Sequence, residues 1–129
     1  MTMKKKRGFT LVEIMVVVGI IALLAAVAIP NLLRAKVSAN QASARSTLKA
    51  ISTSLENYSV INSVYPTDTS GLLGASPPYL NVDYFSGTHS GYTFSANLAS
   101  YAYTITATPV NANSGTTSYT VTTGGTLSP

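Results

Sequence analysis

One stretch limits this chain more than any other. From Ile14 to Ile29 every residue is apolar or glycine, and the run follows closely on the basic cluster Lys4 to Arg7. A helix lying on a soluble core shows one apolar stripe, whereas this segment is apolar all round. Extended from Phe9 to Leu33 it is long enough to cross a hydrocarbon core, which takes about 20 residues. Thr10, Glu13, Pro30 and Asn31 are its interruptions. Basic residues before a first span stay on the cytoplasmic side, so the remainder of the chain is expected outside.

Charge supports this division. The formal net charge is +4, and Lys4, Lys5, Lys6 and Arg7 supply half of the eight basic residues. Downstream, Arg34, Lys36, Arg45 and Lys49 balance Glu13, Glu56, Asp68 and Asp83. The basicity therefore sits in a short leader and not on a nucleic-acid-binding face. Charged residues make up only 9% of the chain against 46% hydrophobic. A soluble domain carries roughly 25% charged residues, so this composition points to surface meant for lipid or for other subunits. The absence of cysteine removes disulfides and thiol chemistry, leaving a small exported head to be held by packing or by neighbouring subunits.

Beyond Pro30 the pattern becomes amphipathic. Ala44, Leu48, Ile51, Leu55 and Tyr58 recur at spacings of four and three and share one face, with Arg45, Lys49 and Glu56 off it. One helix is expected from Phe9 to about Ser63, loosened or kinked at Pro30, where a backbone donor is missing. The segment after Tyr65 is rich in turn formers and reads first as ordered loop. Three strands are then expected, Gly91 to Asn97, Tyr101 to Thr108 and Thr117 to Thr123, with 111–115 as a hairpin connection. The sequence thus divides into a leader (1–8), a transmembrane helix (9–33), an amphipathic helix (34–63) and a head (64–129). The fold class is α+β: a long N-terminal helix packed on a small antiparallel three-stranded sheet.

Catalytic and metal-binding constellations are poor. His89 is the single histidine, in a Ser/Gly loop without nearby paired acids. Asp68 and Asp83 lie fifteen positions apart without an EF-hand pattern and read as turn residues. No enzyme activity, metal or cofactor is expected. Six tyrosines of the head, Tyr79, Tyr84, Tyr92, Tyr101, Tyr103 and Tyr119, suggest core together with contacts between subunits.

The junction KKKRGFTLVEIMVVVGIIALLAAVAIP resembles the class III signal of type IV prepilins and pseudopilins. Its parts are the basic run Lys4 to Arg7, Gly8, Phe9 opening the apolar segment, Glu13 at the fifth position from Phe9, and Pro30 near the far end. Thr10, Leu11 and Val12 follow the family's usual spelling. The resemblance covers about the first 35 residues closely and the amphipathic half-helix loosely. It implies the pilin fold, cleavage between Gly8 and Phe9 by a prepilin peptidase, and N-methylation of Phe9. It also implies an assembly role for Glu13, which would meet the amine of Phe9 in a neighbouring subunit and set the axial register. The alternative for Glu13 is that it snorkels to the cytoplasmic interface. Gly19, Ala22, Ala25, Ala26 and Ala28 would permit close helix approach.

The resemblance implies a structural subunit of a type IV pilus, a polymer for adhesion, motility or DNA uptake. The same N-terminal third would serve a pseudopilin of a type II secretion system. The head lacks the disulfide loop of many major pilins, Tyr65-Pro66-Thr67 is reminiscent of major pseudopilins, and some pseudopilin loops bind calcium. Implied partners are like subunits in a helical homopolymer, the prepilin peptidase, an assembly platform with its ATPase, and a secretin. The implied location is the bacterial inner membrane as a single-pass protein, then the extracellular filament. A third reading is a small secreted binding domain with an ordinary signal peptide, for which Ala26-Val27-Ala28 offers a cleavage site; against it stand Glu13 and the length of the apolar run.

Overall fold

Helix α1 runs from Leu11 to Asn62 in the computed structural model, which describes residues 8–129. The leader cluster Lys4 to Arg7 lies outside the described residues. Pro30 stands inside α1 and does not end it: helical geometry continues on both sides, although its ring nitrogen donates nothing to the carbonyl of Ala26. The described chain divides into two units, one reaching to Arg34 and one spanning Ala35–Pro129.

Among the described residues, the first unit is the start of α1 preceded by Gly8, Phe9 and Thr10. Its apolar side chains, among them Ile14, Val17, Ile20, Leu24, Val27 and Leu33, are exposed in the single chain. Length and composition make this helix long and apolar enough to cross a membrane.

In the second unit, α1 buries Ala44, Leu48, Ile51 and Leu55 of the expected stripe, and its fifth member, Tyr58, packs half-buried against the core. The short helix α2, Ser70–Leu73, adds Leu72 to the core. Asp68 starts this helix by accepting from the Ser70 hydroxyl and the Gly71 amide, and those two bonds, the hydroxyl first, hold its carboxyl below the usual value. The sheet follows as β1 (Tyr92–Ala99), β2 (Ala102–Pro109), β3 (Tyr119–Thr122) and β4 (Thr126–Ser128), antiparallel in that spatial order.

The sheet has four strands, one more than the three expected. The fourth is made by the turn through Gly124 and Gly125, both with positive φ (80° and 75°), which folds Thr126–Ser128 back onto β3. A three-residue strand without alternating hydrophobics is hard to see in sequence. A second tight turn precedes β1. Ser90 and Gly91 both have positive φ, and His89 and Tyr92 exchange both backbone hydrogen bonds across them, the geometry of a two-residue hairpin.

Alternation along the strands decides the core. Tyr92, Phe94, Tyr103, Ile105, Ala107 and Val121 face α1, and each large one contributes about 1.5–3 kcal/mol by leaving water. Gly115 is required by packing: a Cβ there would stand 2.1 Å from the Tyr92 hydroxyl. The 111–115 connection forms as expected, with the Asn111 carboxamide accepting from the Asn113 amide and the Ser114 hydroxyl. Asn40 and Gln41 of α1 tie this loop down by bonds to the Ser114 carbonyl (2.9 Å) and the Thr116 hydroxyl (3.0 Å).

Candidate functional site: the start of the long helix

Gly8, Phe9 and Thr10 precede the first residue of α1 and are exposed. Among the described residues, no heavy atom beyond its chain neighbours lies within 4 Å of the point where a Gly8 Cβ would stand. Phe9 is 87% exposed.

Thr10 caps the helix. Its carbonyl accepts the first helical bond, from the Ile14 amide (3.4 Å), and its hydroxyl accepts from the Glu13 amide (3.2 Å). In return Glu13 Oε2 accepts from the Thr10 amide (2.7 Å) and the Thr10 hydroxyl (2.9 Å). This reciprocal pair is a capping box, in which Thr and Glu three apart satisfy amides that the first helical turn leaves without partners. The family resemblance offers Glu13 only the Phe9 amine and leaves Thr10 without a task, although the T-x-x-E spacing is there to read. Within one chain, then, the Glu13 carboxylate already has donors. Any approaching amine would add to or replace the Thr10 bonds.

Elsewhere the expected residues take structural roles. Asp83 accepts from the Phe85 amide (3.0 Å), closing a turn. His89 Nε2 lies 3.1 Å from the Ser86 carbonyl, and the ring meets Tyr84 edge-on at 5.3 Å. Among the described residues no group of three or more His, Cys, Asp or Glu side chains is placed to hold a metal. Tyr92 and Tyr103 are core, while Tyr101 is 82% exposed. Tyr119 carries the Arg45 guanidinium 5.6 Å from its ring centroid.

Glu56 stands out in the sequence only as a residue off the apolar stripe. In the structure Oε1 accepts from the Tyr103 hydroxyl (2.8 Å) and the Gly124 amide (3.0 Å), and Oε2 from the Tyr65 hydroxyl (3.0 Å). The Tyr103 hydroxyl also contacts Ser52 Oγ (2.8 Å) and accepts from the Gly125 amide (3.2 Å). Burial, foremost, pushes the Tyr103 hydroxyl pKa up to about 12, with the Glu56 carboxylate adding to the rise. Nothing local in the sequence announces this cluster, because its members come from α1, the segment just after it, β2 and the β3–β4 turn.

Residues 3–29 match the family described as the prokaryotic N-terminal methylation motif. That segment contains the whole basic, Gly8-Phe9 and Glu13 arrangement. The chain's N-terminal segment is that of the type IV pilin and pseudopilin family. Similarity extends well past the motif. The chain is 47% identical over 70 residues to type II secretion system core protein G of Vibrio cholerae, covering 54% of this chain and 48% of that protein. It is 46% identical over 68 residues to the core protein G of Escherichia coli K12, covering 53% and 47%. Over 54 residues it is 44% identical to the type IV major pilin protein PilA of Myxococcus xanthus, covering 42% of this chain and 24% of that one. The chain thus spans about half the length, or less, of these relatives. The long helix and antiparallel sheet agree with the pilin fold.

Proposed function

We propose that the protein is a structural, non-catalytic subunit of a type IV pilin-like filament. The observation that carries this reading is the motif at the start of α1: the exposed Gly8 and Phe9, a single acid at Glu13, and a membrane-length apolar helix whose side chains are exposed in the single chain. In this reading a prepilin peptidase cleaves after Gly8 and methylates the amine of Phe9. The apolar helix anchors the subunit in the inner membrane and later packs among the same helices of other subunits. Lipid and a helix bundle are equally apolar, so moving between them yields little hydrophobic gain. Charge pairing between Glu13 and the new amine, close packing, and an assembly machine then direct the step.

Two filaments fit. The core protein G relatives favour a pseudopilus of type II secretion, since their similarity runs over 68 to 70 residues against 54 for the pilin PilA. A type IV pilus is favoured by the head, whose outward sheet face is uncharged, as suits a surface exposed outside the cell. Shearing intact cells and identifying the released filament protein by mass spectrometry separates the two. Recovery in sheared pili supports the pilus. Retention in the envelope, together with loss of exoprotein secretion on deletion, supports the pseudopilus. A mature N-terminus at Ile29 instead of methylated Phe9 would remove both.

A further inference from the structure

The charges of this chain are not spent on one another. Each of the four acids is held by hydroxyl or amide donors alone: Glu13 by Thr10, Glu56 by Tyr65, Tyr103 and Gly124, Asp68 by Ser70 and Gly71, and Asp83 by Phe85. Arg34, Lys36, Arg45 and Lys49 therefore find no carboxylate to bond among the described residues. Glu56 is used up inside the head. Asp83 gives one oxygen, Oδ1, to the Phe85 amide and stands exposed in the run Asn81-Val82-Asp83, where Val82 is 46% exposed. Asp68 is exposed too, but its neighbours are Thr67 and Thr69, so it offers no apolar companion.

Arg45 is the cation with a place built around it. Its guanidinium lies over the Tyr119 ring, and the two line a hollow of about 290 Å³ with Leu127, Ser128 and Pro129. Stacking on the ring orders the long side chain and leaves its N–H donors free for a carboxylate. Leu127 is 42% exposed and supplies an apolar wall beside the charge. A hollow that is cationic on one side and apolar on another suits an acid with an aliphatic neighbour. Val82-Asp83 has that chemistry.

The two patches cannot meet within one chain. Tyr84, next to Asp83, packs its ring on Phe94 of β1, whereas the Arg45 hollow is walled by β3 and β4. With β1 and β4 at opposite edges of the sheet, three strand spacings, about 14 Å, lie between them. Complementary patches at two places on one molecule make a heterologous contact, which passes from copy to copy and does not close on a two-fold axis. We infer that the Val82-Asp83 turn of one copy docks in the Arg45 hollow of the next, Asp83 bonding the guanidinium and Val82 covering Leu127. The inference rests on the filament reading and names the contact that joins neighbouring heads.

The test uses the full-length chain in intact cells. The sequence contains no cysteine, so a short bis-maleimide links copies of this chain only through introduced thiols. Asn81→Cys and Ser128→Cys place one thiol beside each half of the contact and leave Val82, Asp83 and Arg45 unaltered. The double variant is expected to give a ladder at multiples of the chain's mass, and each single variant none. Adding Arg45→Glu should weaken the ladder about tenfold, since two acids then face each other. Adding Asp83→Arg to that variant should restore it, and Asp68→Arg in its place should not. Thermal unfolding in detergent shows that each variant folds. No ladder from a chain that carries methylated Phe9 and yields filaments overturns the contact and leaves the filament reading standing. A ladder indifferent to Arg45→Glu, failure of Asp83→Arg to restore it, or restoration by Asp68→Arg does the same. Linked dimers from a single-cysteine variant would reveal a two-fold contact and also overturn it. An unaltered chain left uncleaved at Gly8 and forming no filament removes both readings together.

Discussion

Thr10 and Glu13 form a capping box within the single chain, and under the proposed assembly Glu13 would take a second partner. In the single chain the Glu13 carboxylate takes two donors from Thr10, and Thr10 loses its cap if the acid leaves. Substituting a capping threonine costs about 1 kcal/mol of local helix stability. A buried acid left without a partner costs a few kcal/mol even on lenient membrane scales. Under the proposed assembly, Glu13→Val leaves the Phe9 amine as the unpaired charge in apolar surroundings, a cost greater than that of the cap, so pairing at Glu13 should decide assembly. Thr10→Val is therefore expected to lower filament yield modestly, whereas Glu13→Val should impair assembly much more while membrane insertion and processing continue. Sheared-fraction immunoblots beside whole-cell blots measure both quantities; wild-type yield from Glu13→Val would exclude the pairing role. Gly8 makes a separate prediction. Among the described residues nothing beyond its chain neighbours stands within 4 Å of a Gly8 Cβ, so under the proposed processing Gly8→Leu should fold and insert normally yet accumulate as uncleaved precursor.

At the scale of elements, the β3–β4 hairpin depends on Glu56. β4 buries none of its residues, so beyond its short ladder with β3 it is held by the turn amides of Gly124 and Gly125 bonded to Glu56 and Tyr103. Tyr103→Phe removes the hydroxyl that joins Ser52, Glu56 and Gly125. It should destabilise the head by about 1–3 kcal/mol, since partners are left without a donor or acceptor. Because the Gly125 amide keeps the Thr122 carbonyl (3.0 Å) and the Gly124 amide keeps Glu56, hydrogen exchange at the β3–β4 turn should accelerate only modestly. The raised pKa of Tyr103 fixes a sign as well. Folding favours the neutral phenol, so its contribution is complete below about pH 10 and falls away as pH rises toward about 12. Denaturant unfolding across that window should show a steeper loss for the unaltered chain than for Tyr103→Phe.

For the whole molecule, the two units carry different tasks. The apolar core of the head is complete within Ala35–Pro129, whereas the membrane-length apolar stretch lies in the first unit. Leu48→Ala, at a fully buried position, should destabilise the head by about 2–5 kcal/mol. Insertion and cleavage should be unchanged, since both use the first unit. Membrane fractionation and N-terminal mass measurement check the second half of this prediction, and thermal unfolding in detergent the first. Loss of membrane association in Leu48→Ala would show that the head contributes to targeting.

Much of this was legible in the residues alone. A run from Ile14 to Ile29 without a polar side chain determines an apolar helix whatever surrounds it, because no local alternative satisfies the backbone in lipid. Spacings of three and four from Ala44 to Leu55 likewise determine which face meets the sheet, and alternation in Tyr103, Ile105 and Ala107 determines which strand face meets the helix. These are periodicities, and they survive without knowledge of distant neighbours. The fourth strand, the meeting of Glu56 with Tyr65, Tyr103 and Gly124, and the hollow that Arg45 shares with Tyr119 and Leu127 are of another kind. Each depends on register and turn geometry to bring residues from separate segments to one place. Only the tertiary structure could decide that.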